Sequence, residues 1–293
     1  GCGYPLVATV DGGSVSIPHY IKDGHFRATW FQRESATGNH AIAYRTTNAM
    51  WKGIRNITDT NEVEKDSDLV IDANGDYHLA WTEEDGSGHR EICYANWIDS
   101  NPYSAPTTSA NITHNASNDD SYRPKIVTFE ESGVMKVTMI WIDTDIRQNG
   151  DIWITTFEAE DPSQVDLQPT NISCSPEDNN LEYDHRIAYD EQNQWIAITW
   201  CEDYNGDRAL WVGVVDYANT LITQEHKIAY GVAYDCYDPS ICIEEQTCSV
   251  NIAYVRVYAS GHNVHYTQIN VGAGEYSKYF DVNITDGSNY RYP

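Results

Sequence analysis

The sequence lacks any apolar run that approaches the roughly 20 residues of a membrane-spanning helix. It also lacks an amphipathic segment of about ten residues with helical spacing. Basic residues are scarce, since 18 Lys and Arg stand against 44 Asp and Glu and give a formal net charge of −26. A basic footprint for phosphate is therefore missing, which argues against nucleic acid and an anionic membrane surface as partners.

Familiar catalytic motifs are missing as well. No Gly-x-Ser-x-Gly sequence occurs, and no Ser/His/Asp or Cys/His set stands out. The ten histidines include no pair with the close helical spacing of a zinc site, and alternation puts His262 and His265 on opposite sides of a strand. Carboxylates are too plentiful to single out a glycosidase pair. The sequence therefore predicts no catalytic residues and a protein that is not an enzyme.

What the sequence does have is a repeated aromatic pattern. Aromatic residues make up 12% of the chain and include 21 Tyr and 9 Trp. A strand ending in an aromatic residue, a turn rich in acidic residues or glycine, and a second alternating strand recur along the chain. The aromatic anchors follow one another at intervals of 51, 60, 59 and 54 residues. They are Trp30, Trp81, Trp141, Trp200 and Tyr254.

Each repeat holds four short predicted strands, and four-stranded units at this period are typical of an all-β β-propeller. We expect a single domain over residues 1–293 with five four-stranded blades, and six blades with a split or strand-swapped blade are the alternative. The anchors are expected to pack between neighbouring blades. The predicted segments are 1–16 for N-terminal closure, about 17–60, 61–117, 118–177, 178–231 and 232–285 for the repeats, and 286–293 for C-terminal closure.

The repeat resembles that of sialidase-like and lectin-like propellers of secreted and cell-surface proteins. The shared pattern is a Pro, an Ile-Ala-like strand, an Asp-x-x-Gly turn, a strand ending in Trp, an Ile-x-Tyr strand and a closing Asn-Ile-Thr. The resemblance covers nearly the whole chain and implies the fold, but this repeat carries many functions. Sialidases also share a Phe/Tyr-Arg-Ile-Pro motif and Ser-x-Asp-x-Gly-x-x-Trp turns. Tyr122-Arg123-Pro124 only echoes the first motif, and the Asp-Gly turns do not match the second.

Five Asn-x-Ser/Thr sequences, together with cysteines clustered late in the chain, favour secretion. The predicted glycosylation sites are Asn56, Asn111, Asn115, Asn171 and Asn283. Asn-Ile-Thr/Ser recurs at one place in four repeats, so two interpretations stay open: the repeat needs this sequence where the strand ends, or glycans decorate one face. The sequence begins at Gly1 rather than Met, which indicates a processed chain or a fragment.

Seven cysteines leave at least one thiol without a partner in the same chain. A disulfide is predicted between Cys242 and Cys248, because these residues flank a predicted hairpin whose opposed positions can be bridged. Cys236 competes for Cys242.

Acidic turns provide oxygen ligands of the kind that Ca²⁺ prefers. The best group is Asp143, Asp145, Asn149 and Asp151. Asn-Gly and Asp-Gly also suit tight hairpins, and none of these turns has the roughly twelve-residue spacing of a helix-loop-helix calcium site. We therefore expect no cofactor, with calcium as the alternative.

The two ends of the chain resemble parts of one further blade, because Tyr4–Val10 is a predicted strand and the last residues repeat an inter-blade link. The ends either close the ring within one chain or complete a neighbouring copy by strand addition. The main hypothesis is a non-catalytic structural or adhesive protein, extracellular or at the cell surface, that assembles into a filament or surface layer. A carbohydrate-binding lectin and a sialidase-like glycoside hydrolase are the alternatives, and the expected partners are copies of itself and glycans.

Overall fold

The computed structural model describes residues 20–22, 25–33, 40–46, 55–56, 62–97, 108–113, 120–144, 150–173, 182–204, 207–216, 221–229, 234–244, 247–272 and 275–284. These residues form strands and turns, and no helix occurs among them, which confirms the predicted all-β class. None of this part of the chain forms a helix that could cross a membrane.

The described strands form five antiparallel four-stranded sheets, and each strand pairs with its neighbours in chain order. The first sheet contains β1 (Tyr20–Lys22), β2 (His25–Arg33), β3 (His40–Thr46) and β4 (Arg55–Asn56). The second contains β5 (Val63–Ile71), β6 (Tyr77–Glu84), β7 (Arg90–Trp97) and β8 (Thr108–Asn111). The third contains β9 (Asp120–Glu131), β10 (Val134–Thr144), β11 (Gly150–Glu158) and β12 (Val165–Asn171). The fourth contains β13 (Glu182–Asp190), β14 (Trp195–Tyr204), β15 (Asp207–Asp216) and β16 (Leu221–Ala229). The fifth contains β17 (Tyr234–Glu244), β18 (Ser249–Tyr258), β19 (Gly261–Gly272) and β20 (Glu275–Asn283).

The first strand of each of the last four sheets contains a β-bulge. One residue of each bulge adopts a left-handed conformation with φ between 46° and 57°. In each sheet, two residues of the first strand stand opposite a single residue of the second strand. The left-handed residues are Asp66, Arg123, Asp184 and Asp238.

The residue that faces each bulge is the aromatic anchor of that repeat. Pairing shifts register around Trp81, Trp141, Trp200 and Tyr254. Bulge residues donate no ladder hydrogen bond, so proline is tolerated there, and Pro124 and Pro239 occupy the second bulge position of their strands. The repeated aromatic residue therefore fills the space beside a local irregularity of the backbone.

The chain divides into two compact units. One comprises Gly1–Gln148 and Ile154–Pro169, and the other comprises Asn149–Trp153 and Thr170–Pro293. A core cluster of the first unit surrounds Tyr77, Leu79, Trp81 and Trp97. That of the second unit joins the fourth and fifth sheets through apolar side chains such as Leu210, Val212, Ile252 and Tyr254.

The anchors with described side chains are all buried. The side chain of Trp30 lies outside the described residues, as do Tyr4–Val10 and residues 286–293. Closure of the ends, assembly through them, and the single domain over 1–293 therefore stay predictions.

Candidate functional site

An arginine–tyrosine contact recurs where consecutive sheets meet within a unit. In the first unit, the Arg90 backbone N–H donates to Asp120 Oδ1 at 3.0 Å. The Arg90 guanidinium carbon lies 5.3 Å from the ring centroid of Tyr122. This contact fixes the start of β9 against the start of β7.

The second unit repeats the contact. The Arg208 backbone N–H donates to Asp235 Oδ1 at 2.8 Å, and the guanidinium carbon lies 4.3 Å from the Tyr237 ring centroid. Arg208 Nε also contacts Asp203 Oδ1 at 3.3 Å. Burial raises the pKa of Tyr237; the Arg208 charge opposes this rise, and the Asp235 carboxylate adds to it. Because the contact occurs in both units, we interpret it as a structural contact that holds consecutive sheets of a unit together.

The fifth sheet contains a cluster without a counterpart at the matching positions of the second, third and fourth sheets. We call Tyr234, Tyr254, Arg256, Tyr258 and His265 the Arg256 cluster. Arg256 Nη2 donates to the Tyr254 hydroxyl at 2.6 Å. Its guanidinium carbon lies 4.6 Å from the Tyr234 ring centroid and 5.2 Å from that of Tyr254. A cation stacked on two phenol rings is held rigidly and partly desolvated.

The Arg256 cluster also contains a pair of groups that can exchange a proton. The Tyr258 hydroxyl lies 3.3 Å from His265 Nε2. The Tyr258 ring packs 5.5 Å from the Tyr234 ring, between centroids. His265 and Tyr254 are buried, whereas Tyr234, Arg256 and Tyr258 are partly exposed. A molecule that approaches this end of the sheet therefore meets Arg256 and Tyr258, with His265 behind them.

Strand register explains how the sequence assembles this cluster. Tyr254, Arg256 and Tyr258 alternate along β18 and so share one face. Tyr234 pairs with Tyr258, and His265 pairs with Tyr254. Sequence reasoning placed Tyr254 as an anchor but missed Arg256 and Tyr258, and the signal that could have found them is the replacement of Trp-x-Glu/Asp by Tyr-x-Arg in the last repeat.

The first unit contains a buried polar network that the sequence did not predict. His78 lies 3.2 Å from Asp72 Oδ2 through Nε2 and 2.7 Å from the Tyr94 hydroxyl through Nδ1. The carbonyl of Ala159 accepts hydrogen bonds from Tyr94 and from Asn96 at 3.2 Å and 2.9 Å. All these side chains are buried, so the network ties β5–β7 to the end of β11 and does not face a substrate.

Two of the predicted glycosylation sequences have a structural role at the ends of β8 and β12. The side-chain amide of Asn111 donates to the Glu91 carboxylate, and that of Asn171 donates to Asp151 Oδ2 at 2.7 Å. The hydroxyls of Thr113 and Ser173, two residues further along the chain, accept backbone hydrogen bonds from the third strand of their sheets. The structure thus supports the strand-end interpretation at these two sites, while Asn283 is exposed.

In these two Asn-Ile-Thr/Ser sequences the Thr or Ser hydroxyl is buried and continues the hydrogen bonding of the third strand beyond the end of the fourth. Thr113 Oγ1 accepts the Ile92 N–H and Ser173 Oγ accepts the Ile152 N–H, both at 2.8 Å. We expect Ser173→Ala to lower the free energy of unfolding by about 1–3 kcal/mol, because it leaves a buried N–H without an acceptor. Urea denaturation measures this change. Ser163→Ala, in an exposed turn, is the control and should cost less than about 0.5 kcal/mol.

Glycosylation at Asn56 and Asn115 stays a prediction, because the side chains of both residues lie outside the described part of the chain. Glycosylation at Asn111, Asn171 and Asn283 is likewise untested.

The predicted calcium group is only partly described. Asp143 Oδ2 accepts a hydrogen bond from the Ser121 hydroxyl at 2.7 Å. Asp151 Oδ2 accepts a hydrogen bond from the side-chain amide of Asn171. Asp145 and Asn149 lie outside the described residues. Within the described residues, no group of three or more His, Cys, Asp or Glu is arranged to hold a metal ion. Calcium binding stays a prediction.

The cysteines of the fifth sheet are arranged differently from expectation. Cys242 pairs across the hairpin with Asn251, whereas Cys248 lies in the turn with φ of 53°. The predicted bridge assumed that Cys242 and Cys248 lie opposite each other across the hairpin. They do not, because Cys248 belongs to the hairpin turn. No disulfide joins Cys236, Cys242 and Cys248 to one another in the structure, and Cys236 is buried against the fourth sheet. The disulfide itself stays a prediction.

Comparisons with known proteins place this architecture in a fold class. No protein-family model matches the sequence, and no curated protein is significantly similar to it. An ulvan lyase of polysaccharide lyase family 25, bound to -[GlcA(1-4)Rha3S]-, superposes with a TM-score of 0.60 at 10% identity, over 93% of this chain and 72% of that chain. The Hadza microbial sialidase Hz136 gives 0.52 at 10% identity, over 89% of this chain and 56% of that one. An α-L-arabinofuranosidase from Podospora anserina, in complex with cellotriose, gives 0.50 at 12% identity, over 86% and 88%.

These similarities and the four-stranded sheets show that the chain has a β-propeller fold of the type found in sialidases and glycoside hydrolases. The number of blades stays a prediction. The prediction that the protein is not an enzyme, which was based on missing motifs, is wrong, because these structural neighbours are enzymes. The absence of familiar motifs was a poor guide, because the catalytic residues of a propeller enzyme can come from separate strands and then share no local sequence motif.

Proposed function

We propose that the protein is an extracellular carbohydrate-active enzyme that cleaves a polysaccharide at the Arg256 cluster. The observation that carries this proposal is the Tyr258–His265 contact of 3.3 Å beside the partly exposed Arg256. It unites a proton-transfer pair with a fixed positive charge at the accessible end of one sheet.

Cleavage of a link between sugars needs these components. A proton must be delivered to the leaving oxygen, and charge that develops in the transition state must be stabilised. Tyr and His are suitable proton-transfer groups, and an arginine held on aromatic rings stabilises negative charge without reorganisation. The rings of Tyr234 and Tyr258 add apolar faces with polar edges, which suit a sugar.

Two further features support the proposal. The relatives of the same fold are named as a polysaccharide lyase, a sialidase and an arabinofuranosidase, all of which act on carbohydrate. The five glycosylation sequences favour an extracellular location, where polysaccharides are accessible. Glycans, predicted from the sequence as partners, become substrates in this proposal.

The test is the release of reducing ends from a panel of neutral and acidic polysaccharides by the purified protein. We expect one class to be cleaved, and Tyr258→Phe to lower the rate by about 10²–10⁴-fold. Tyr266→Phe is the matched control, since Tyr266 lies in the same sheet and donates instead to Asn251. Binding without any release of reducing ends would contradict an enzymatic role.

A further inference from the structure

Three of the Asn-Ile-Thr/Ser sequences end the fourth strand of a sheet, and they differ in exposure. Asn111, Asn171 and Asn283 are the last residues of β8, β12 and β20. In all three sheets, the backbone N–H of the following isoleucine donates to a carbonyl of the third strand. Asn111 and Asn171 are nevertheless partly buried, whereas Asn283 is exposed. The same sequence at the same place in the ladder therefore meets a different environment in the fifth sheet.

In the second and third sheets, the asparagine side chain is part of the packed structure. The amide of Asn111 donates to the Glu91 carboxylate, and the side-chain oxygen of Asn111 is buried. Asn171 Nδ2 donates to Asp151 Oδ2 at 2.7 Å, and Asn171 Oδ1 accepts the Ser173 N–H at 3.1 Å. An N-linked sugar is attached to Nδ2, so it would disturb these contacts. Chains that fold and are secreted should therefore carry no glycan at either residue.

The carboxylate partner is replaced in the fifth sheet. Glu91 lies two residues before the residue that pairs with Asn111. At the corresponding position of the fifth sheet, two residues before the one that pairs with Asn283, the chain has Asn263. A hydrogen bond to a carboxylate is roughly twice as strong as one between neutral groups. Asn283 is therefore held without the charged acceptor that the second sheet provides from this position.

The residues beside Asn283 are apolar and exposed. Val282 is 48% exposed and Ile284 is 59% exposed, whereas Ile172, which follows Asn171 in the third sheet, is 4% exposed. Among the described strands, β20 is the last in the order of its sheet and pairs with β19 alone. An edge strand with exposed apolar side chains is a template for pairing with another chain. A bulky hydrophilic group at Asn283 would find room at this edge and would cover it.

We propose that Asn283 carries an N-linked glycan, that Asn111 and Asn171 stay unmodified, and that the glycan covers the exposed end of β20. This modification is separate from the proposed cleavage of polysaccharides. The co-reactant is a lipid-pyrophosphate-linked oligosaccharide, and an oligosaccharyltransferase of a secretory compartment transfers it. The bond between the pyrophosphate and C1 of the first sugar breaks, and the pyrophosphate leaves with the electron pair. C1 forms a bond to Asn283 Nδ2, which releases one proton.

The first experiment maps glycans on the full chain after secretion from a eukaryotic host. An amidase that releases N-linked glycans converts each modified asparagine to aspartate, and peptide mass spectrometry in water labelled with heavy oxygen identifies the converted residues. Conversion at Asn283 should exceed that at Asn111 or Asn171 by at least about tenfold, because a glycan there would disturb a hydrogen bond to a charged group. Asn283→Gln should lose this glycan, whereas Asn171→Gln should keep it. The wild-type peptide map gives the same comparison if a variant fails to fold.

The second experiment tests whether the glycan covers the edge of β20. Treatment of the folded wild-type protein with the amidase removes the glycan after folding is complete. The weight-average mass measured by light scattering should then increase, because the exposed Val282 and Ile284 become accessible to a second copy. Asn283→Gln is the matched variant: it should show the increased mass from the start, and amidase treatment should leave that mass unchanged.

Two results would overturn the assignment of the glycan. One is the absence of conversion at Asn283 in the secreted protein, and the other is conversion at Asn111 or Asn171 to the same extent as at Asn283. A modified Asn283 together with an unchanged weight-average mass after glycan removal would overturn the role of the glycan in covering β20.

Discussion

Replacing Asp72 with alanine is expected to lower the free energy of unfolding by about 3–5 kcal/mol, because the change removes the carboxylate partner of a buried histidine. Asp72 Oδ2 lies 3.2 Å from His78 Nε2, and both side chains are buried. Asp72 Oδ1 also accepts the N–H groups of Gly75 and Asp76, each at 2.9 Å. Alanine therefore disrupts the turn between β5 and β6 and the network that reaches Tyr94.

Asp72→Asn is the matched variant, and we expect it to cost less than about 2 kcal/mol at neutral pH. Its side-chain oxygen can accept the two N–H groups of the turn, and its amide can donate to His78 Nε2. The histidine then donates through Nδ1 to the Tyr94 oxygen, which lies 2.7 Å away, and Tyr94 donates to the Ala159 carbonyl. Every group keeps a partner, but the buried charge is removed.

The stabilities of the wild-type protein and Asp72→Asn should depend differently on pH. Burial alone would raise the pKa of Asp72, but the hydrogen bond from His78 and those from the N–H groups of Asp76 and Gly75 lower it below its ordinary value of 3.8. A carboxyl group with a depressed folded-state pKa stabilises the protein fully above its unfolded pKa and loses that contribution as the pH falls through the folded one. Asparagine does not titrate, so the stability gap between wild type and Asp72→Asn should shrink as the pH falls from about 6 to about 3.

Urea denaturation at several pH values measures both effects. A stability gap between wild type and Asp72→Asn that stays constant down to pH 3 would contradict the assignment of an ionised Asp72. A cost below about 1 kcal/mol for Asp72→Ala would show that the network contributes little to stability.

The anchors show how much of the fold could be predicted from sequence. The spacing of the aromatic residues and the alternation around them were sufficient to predict four-stranded antiparallel units. The bulge opposite each anchor was not predicted, because its second position holds Ser67, Pro124, His185 or Pro239, and only the prolines are a local signal for it. In the other two strands, the left-handed residues Asp66 and Asp184 are aspartates, and an aspartate in a strand does not by itself indicate a bulge.

The Arg256 cluster shows why the site was harder to predict than the fold. Its members are separated in sequence by as much as 31 residues, from Tyr234 to His265, and they meet through the register of β17, β18 and β19. Periodicity predicts which face a residue occupies but not which residue of the neighbouring strand lies opposite. The same reasoning applies to His78, whose partners Asp72 and Tyr94 come from a turn and from the adjacent strand.

Replacing Trp200 with alanine is expected to lower the free energy of unfolding of the second unit by about 3–5 kcal/mol. Trp200 is fully buried, faces the bulge at Asp184 and His185, and stacks on Trp211 with 6.4 Å between ring centroids. The bulge fixes the backbone around the indole, so the neighbouring strands cannot collapse into the space that the ring leaves. A rigid cavity of this kind puts the cost at the upper end of the usual range for a large-to-small change.

Trp200→Phe tests whether volume or polarity dominates at this position. The indole N–H of Trp200 has no hydrogen-bond partner among the described residues, so phenylalanine loses volume without losing a hydrogen bond. We expect it to cost about 1–2 kcal/mol, well below alanine. Calorimetry and urea denaturation measure both variants. Equal costs for alanine and phenylalanine would show that the ring does not fill the space beside the bulge, and would contradict the packing role of the repeated aromatic residue.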